Sequence, residues 1–471
     1  MSTHARSHSR SAVLSLSAAS LVIGALFVAG CGNTAGSGGG SNPGQSSGSA
    51  FVIGTDAPVA SVVSFDATIQ SVDAIDASGN SVSLVSGNPT IDFARYNGLQ
   101  TLMDENNVKA DTYTQISVTF ASATIGYLQM NAGAAPTVQT MNATFTTPTT
   151  TVTLANPLIV SQTGPVGIRM DFRLDKSIQV TNGAITGQVT PTLDITAVGP
   201  SDPGAYIDEF DTAVVSVDTS SQSFIVQGPH GRQWTINVNG NTEWDNNEGL
   251  SDLTSTSIVQ ISGVLDKADS TIDADEVAIL SQNGFYAGGT VTYVQPSSGV
   301  ASDFQMYVRG TLPAQGDGVS DGDLAQVNLS GSEKFFIYWM HNRFTEFLFN
   351  SSTLLPGQHI SVGGPLSGAQ NPDALSVNRV VLRGWGFNGT IVPGSLDSGS
   401  GTFQMNVTGF AGLLIPQTVT VYTASGTSFR YGFSGLGDLS SATNIRVVGL
   451  LIKDPTSGDT VLLARYIDDM D

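Results

Sequence analysis

Beyond about residue 50 the chain alternates short apolar runs with polar turns, and almost none of it carries helical periodicity. Val59 to Val72 (VASVVSFDATIQSV), Ser81 to Val85, Thr114 to Phe120, Thr151 to Leu154 and Val166 to Phe172 are rich in Val, Ile, Thr and Phe. Gly, Asn, Asp or Pro separate them. Such residues fit a pleated, half-buried surface, and the rhythm predicts an antiparallel β-sandwich over residues 51–200. Thr55-Asp56-Ala57-Pro58 reads as the turn before the first long strand, since Pro58 cannot donate to a sheet ladder. One stretch departs from this rhythm. Leu102 and Met103 fall three and four positions after Leu99, which predicts a helical patch over Leu99 to Val108.

From Ile207 the pattern recurs three times. Phe224-Ile225-Val226, Phe304-Gln305-Met306 and Phe403-Gln404-Met405 each lead to a further apolar strand, at Trp234 to Val238, Phe335 to Met340 and Val419 to Tyr422. An aromatic anchor follows in each unit, in turn Trp244, Phe344 and Phe429. A glycine-containing strand comes next, at Ile261 to Leu265, Ile360 to Gly364 and Val447 to Leu451. A last strand closes each unit, at Val277 to Leu280, Val377 to Leu382 and Val461 to Ile467. Five strands in roughly 75 to 100 residues predict a small closed barrel, which removes exposed edges. The units are expected at 205–283, 285–383 and 384–471, with Gly310 to Ser332 as an insertion in the second.

The N-terminus has a different pattern. Arg6 and Arg10 precede an uncharged, mostly apolar run from Ala12 to Ala29, which ends in small residues and the only cysteine, Cys31. Val28-Ala29-Gly30-Cys31 resembles the lipobox of bacterial lipoproteins. That resemblance implies a signal peptide over 1–30, lipidation of Cys31 and export of the remainder of the chain. It also implies a cell-envelope location, with Gly32 compatible with the outer membrane. Residues 31–50 are Gly/Ser-rich and read as a tether. Gly44-Gln45-Ser46-Ser47-Gly48 within them matches a hydrolase pattern by accident, because that motif needs a strand-to-helix elbow. With the single thiol lipidated, no disulfide is left to staple the domains, so core packing alone must hold them.

Two further resemblances concern the domains. Thr55-Asp56-Ala57-Pro58 together with Ala110-Asp111-Thr112-Tyr113-Thr114-Gln115-Ile116 is similar to an uncharacterised family found near the N-terminus of bacterial surface lipoproteins. The three units from Ile207 resemble an uncharacterised family of exported repeats with an oligonucleotide/oligosaccharide-binding (OB)-like barrel form. The first family carries no established catalytic residues to transfer, and for the second, fold analogy does not supply function. The expected fold class is all-β: an N-terminal β-sandwich followed by three small five-stranded OB-like barrels.

Charge and chemistry narrow the function. Removal of Arg6 and Arg10 lowers the basic count from 18 to 16 against 39 acidic side chains, a net charge of −23. Such a surface repels phosphate backbones, so nucleic acid is excluded as a partner. After Cys31 the histidines are His230, His341 and His359, in different repeats or strands, and no lysine follows a glycine as a P-loop requires. No enzyme activity, cofactor or metal site is therefore expected. Asp317-Gly318-Val319-Ser320-Asp321-Gly322-Asp323 lacks the calcium-loop pattern, because Val319 interrupts it and no glutamate stands at the twelfth position. The densest aromatic run, Phe335 to Met340 with Phe344, Phe347 and Phe349, reads mainly as core. Strand alternation still leaves some rings facing outward, which makes Tyr338, Trp339 and Phe344 the candidate ligand contacts. The expected function is a lipid-anchored array of binding or adhesion modules, held to the membrane by its lipid, with glycans or envelope proteins as partners. The alternatives are a passive envelope spacer and an envelope hydrolase. Cys31→Ser is expected to abolish lipidation and release unprocessed or soluble protein, read by membrane fractionation; normal processing with firm membrane retention after a high-salt wash would contradict the anchor.

Overall fold

A computed structural model describes residues 46–470 except 57–61, 132–133, 183, 201, 229–230, 245–247, 267–269, 283, 298, 315, 339–343, 345, 367–373 and 410. Cys31, the expected signal peptide, most of the tether and Trp339 lie outside the described residues. The chain is all-β, an N-terminal sandwich followed by three small barrels.

The sandwich grows from period-two burial. Phe65, Ala67 and Ile69 on the strand Val62–Asp76 are buried, while Asp66, Thr68 and Gln70 between them are less so. This strand pairs along its length with Thr112–Gln129 at the centre of an eight-stranded sheet. A four-stranded sheet faces it, in the order Leu193–Val198, Val166–Phe172, Ser47–Asp56, Thr101–Lys109. Phe172 fills the space between the sheets, with its ring centroid 5.1 Å from those of both Phe65 and Phe93.

The strand Ser47–Asp56 is buried on both faces. Ala50 and Val52 enter the sandwich core, whereas Phe51 and Ile53 enter a cluster shared with the first barrel. Ser47 to Ala50, expected in the tether, are thus part of the sheet, and Ser46 leads into a strand, not a nucleophile elbow. The same double burial corrects the expected helix. Residues Thr101–Lys109 form a strand in which Met103 packs into the sandwich and Leu102 toward the first barrel. Adjacent apolar residues on a strand covered from both sides imitate helical spacing.

In the first barrel the strands Ile207–Asp218, Ser223–Gln227, Gln233–Asn237, Ile258–Leu265 and Thr271–Ser281 pair in the order 1-2-3-5-4-1. The third and fifth strands run parallel and close the ring. The third barrel repeats this order with Trp385–Ile391, Thr402–Val407, Thr418–Tyr422, Asn444–Lys453 and Thr460–Asp469. In the second, Gly284–Gln295, Asp303–Leu312, Leu324–Asn328, His359–Pro365 and Arg379–Arg383 follow the same plan, with closure made by the short strand Leu375–Ser376 against Leu324–Asn328. A short sixth strand, Glu243–Trp244, Lys334–Ile337 or Ser428–Arg430, lies parallel to the fifth in each.

This register moves two sequence assignments. The third strand of the second barrel lies inside the segment taken for an insertion, and Phe335 to Ile337 belong to its sixth strand. In all three barrels the sixth strand starts ten positions after the third, at Glu243 from Gln233, Lys334 from Leu324 and Ser428 from Thr418. Phe335, not Phe344, is therefore the counterpart of Trp244 and Phe429. The modest strand Leu324–Asn328, with only Ala325 and Val327 buried, was masked in sequence by its aromatic neighbour.

The four domains meet at a buried ionic junction. Arg383, at the end of the second barrel, grips both carboxylate oxygens of Asp211 at 2.9 and 3.0 Å and also donates to Glu209; both acids come from the first barrel. Its Nη1 donates to the Tyr286 hydroxyl at 2.7 Å. Arg95 of the sandwich donates to the same two acids at 2.9 and 2.6 Å. Arg309 reaches Asp92 at 3.3 Å and lies over the Trp385 ring at 4.9 Å. Three guanidinium groups thus face Asp92, Glu209 and Asp211. Burial alone would raise the Glu209 carboxyl, but Arg383 and Arg95 overturn that and hold it well below the usual carboxylate range. The segment from Asp92 to Thr101 threads this junction: Asn97 Nδ2 donates to the Gly386 carbonyl at 2.7 Å, and Thr101 Oγ1 to the Glu209 carbonyl at 2.8 Å. A Cβ on Gly386 would stand 2.0 Å from the Asn97 carbonyl oxygen, so glycine is required there. Arg383→Met, which strands two buried carboxylates against one remaining arginine, is expected to destabilise the protein by about 3–5 kcal/mol in urea unfolding; a loss below about 1 kcal/mol would contradict this role for the junction.

Candidate functional site

The residues singled out in the sequence separate in space. Tyr338 is fully buried, and its hydroxyl lies 2.7 Å from Ser262 Oγ of the first barrel, so it joins two domains and offers no platform. Phe344 is buried as well, edge-on to Phe347 with centroids 6.0 Å apart. Phe347 in turn meets Tyr422 of the third barrel at 5.8 Å. Tyr338 and Phe344 are thereby corrected from ligand contacts to buried packing, Tyr338 between two domains and Phe344 against Phe347 within its own connection. They sit in the long connection from Ile337 to His359, where the other barrels span only Trp244 to Ile258 and Arg430 to Asn444. In the acidic loop, Asp323 Oδ2 accepts the Ser320 amide at 2.8 Å, a turn-closing bond.

His359 belongs to the junction. Its ring stacks on Trp385 with centroids 5.9 Å apart, and its Nε2 stands 4.0 Å from Glu209 Oε1, too far for a hydrogen bond. Neither ring nitrogen has a partner among the described residues, so no hydroxyl is poised for activation by this imidazole. Burial, assisted by Arg383 and Arg309 and opposed by Glu209, pulls the imidazole down to about 4, so it is neutral near pH 7.

An open cleft lies beside the part of the aromatic run that is not core. Its volume is about 430 Å³, and it lies between the loop and strand ends of the first barrel and the fifth and sixth strands of the second. Phe336 is half-buried at its wall, with the Arg379 guanidinium 3.8 Å from the ring centroid. Arg379 also holds Glu248 of the first barrel through two bonds of 2.8 and 2.7 Å, which fixes the cleft's width. Exposed Lys334, Asp252 and Asn378 also line it, together with Gln282 and Ser332. The cleft therefore presents an ammonium, a carboxylate and an amide around an aromatic edge, a set that can both donate to and accept from a polar ligand. Phe336 lay within the flagged run, but Arg379 and Glu248 were missed because their encounter is long-range. The available signal was an arginine opening the apolar strand Arg379–Arg383, where a charge needs a partner.

Two family models match the chain, both domains of unknown function: DUF4382 over residues 48–188, within the sandwich, and DUF5666 over residues 213–278, within the first barrel. No curated protein matches it.

The buried histidine makes stability depend on pH with a definite sign. In the unfolded chain an imidazole titrates near 6.5, whereas His359 folded stays neutral to about 4. Its contribution is full above pH 6.5 and is lost as pH falls through that window toward 4. Asp208, pushed up to about 6 chiefly by burial, and Asp66, pushed up to about 7 by burial and Asp92, act in the opposite sense. The discriminating comparison is wild type against His359→Gln in urea at pH 7 and pH 5. Wild type should lose more stability on acidification than the variant, and identical losses would refute the assignment.

Proposed function

We propose that the protein is a lipid-anchored cell-envelope binding module, exported behind a lipoprotein signal and attached through Cys31, whose OB-like barrels act as one rigid body. The observation that carries this reading is the cleft between the first two barrels, polar on both walls and held at fixed width by the Arg379–Glu248 fork. Preformed clefts at domain interfaces with a few convergent polar groups are where ligands bind. Glycans are the favoured ligand class, since sugars present hydroxyl edges and apolar ring faces that match the mixed lining around Phe336. The spacer alternative is less well supported, because a spacer gains length by arranging its units in series, and here the sandwich and all three barrels converge on one junction. The hydrolase alternative is less well supported, because among the described residues His359 is buried without a hydroxyl partner.

A glycan array probed with the delipidated protein tests the reading. One glycan class should bind, and Phe336→Ala should weaken that binding by about tenfold or more with little change in Tm, equivalent to about 1.4 kcal/mol. Absence of signal on every glycan from a folded protein would favour the spacer.

A further inference from the structure

A second cleft lies between the sandwich and the third barrel, away from Phe336, with a volume of about 180 Å³. One wall is Arg169 and Asp171 on the strand Val166–Phe172, with Arg173 just beyond it; the other is Arg446, Asp468 and Asp469. Tyr431 stands at the rim, 51% exposed, with a backbone φ of 53°. A bulky residue rarely adopts this left-handed conformation, and such strain persists only where the surroundings hold it. Here Ser428–Arg430 is pinned against the fifth strand and Arg430 is held by Asp468 at 2.7 and 3.0 Å, so the chain turns sharply just as it presents the ring. The guanidinium carbons of Arg430 and Arg169 lie 5.5 and 5.7 Å from the ring centroid.

The charges of this cleft largely cancel within the protein. Arg169 pairs with Asp171 at 3.2 Å, and Arg173 with Asp175 and Asp194 at 3.1 and 3.2 Å. The lining therefore holds three guanidinium groups and three carboxylates, which select neither an anion nor a cation by net charge. Arg169 Nε and Asp171 Oδ1, a donor and an acceptor, have no partner among the described residues but are shielded from solvent, so a ligand would meet the outer guanidinium and carboxylate atoms of the walls. A hydroxyl is the ligand group that accepts from a guanidinium and donates to a carboxylate at once. An exposed aromatic ring beside such groups offers its face to the apolar side of a sugar ring. The cleft is small beside the roughly 300–1,000 Å³ of drug-sized sites, which suits one ring or a chain end. We propose that this cleft is a saccharide site for a neutral pyranose, with Tyr431 as the stacking face and the arginine–aspartate walls reading the hydroxyls.

The test uses the delipidated full chain in calorimetric titrations with methyl glucoside, methyl galactoside, methyl mannoside, glucuronate and inorganic phosphate. At least one neutral methyl glycoside should bind. Tyr431→Ala should weaken it by at least tenfold, Tyr431→Phe should retain it, and Phe336→Ala should leave it unchanged. That last variant separates this site from the cleft between the first two barrels, so either reading can fail alone. The proposal is overturned if no neutral glycoside binds at millimolar concentration. Binding of glucuronate or phosphate alone would also overturn it, as would glycoside binding that survives Tyr431→Ala or is lost in Phe336→Ala.

Discussion

Arg383 belongs to one barrel, its two carboxylates to another, and the arginine that shares them to the sandwich. No domain contains a complete set of partners. Burying a charge is tolerable only when it is matched and hydrogen-bonded, so each domain presents a face that is unfavourable until the others arrive. A wholly apolar junction of the same volume is often as stable as an ionic one. What the charges add is register. Greasy surfaces slide past one another at little cost, whereas the fork of Arg383 on Asp211 is satisfied in one docking geometry.

Both clefts border the sixth strand of a barrel, and the two barrels use one device there with its polarity reversed. In the second barrel Phe336 on the sixth strand lies under Arg379 of the fifth at 3.8 Å; in the third, Arg430 on the sixth lies over Tyr466 of the fifth at 4.0 Å. The ladders place both pairs on the same diagonal, since Lys334 faces Arg379 and Ser428 faces Tyr466. Cation and ring have exchanged strands while the contact is kept. Each exchange leaves a different partner for the neighbouring domain: Arg379 is free to hold Glu248 across a domain boundary, whereas Arg430 closes onto Asp468 within its own barrel.

Local pattern carried the fold class and the strand Val166–Phe172 to the residue, because half-buried strands write their environment into alternation. It failed where a second domain covers the outer face. Leu102 and Met103 look helical only because two cores claim neighbours on one strand. It failed again where aromatic density outweighed spacing, so that Phe335 drew the alignment away from Leu324–Asn328. The junction left little trace. Arg383 is 174 positions from Glu209 and 172 from Asp211, and nothing local to either tells a paired buried charge from a solvated one. The clefts were hidden for the same reason, each being assembled from two domains.

The doubly covered strand Ser47–Asp56 is also where a pull on the chain from its N-terminal side would first load the described residues. It is hydrogen-bonded on one edge antiparallel to Thr101–Lys109 and on the other parallel to Val166–Phe172, with side chains locked into a core on each face. A pull along its axis loads those ladders in shear, so many bonds must yield together, where an edge strand peeled sideways would lose them one by one. Thr101–Lys109 leads directly back to the segment carrying Arg95, so the same pull is passed on to the ionic junction. The point of entry for tension is thereby among the parts of the molecule best placed to resist it.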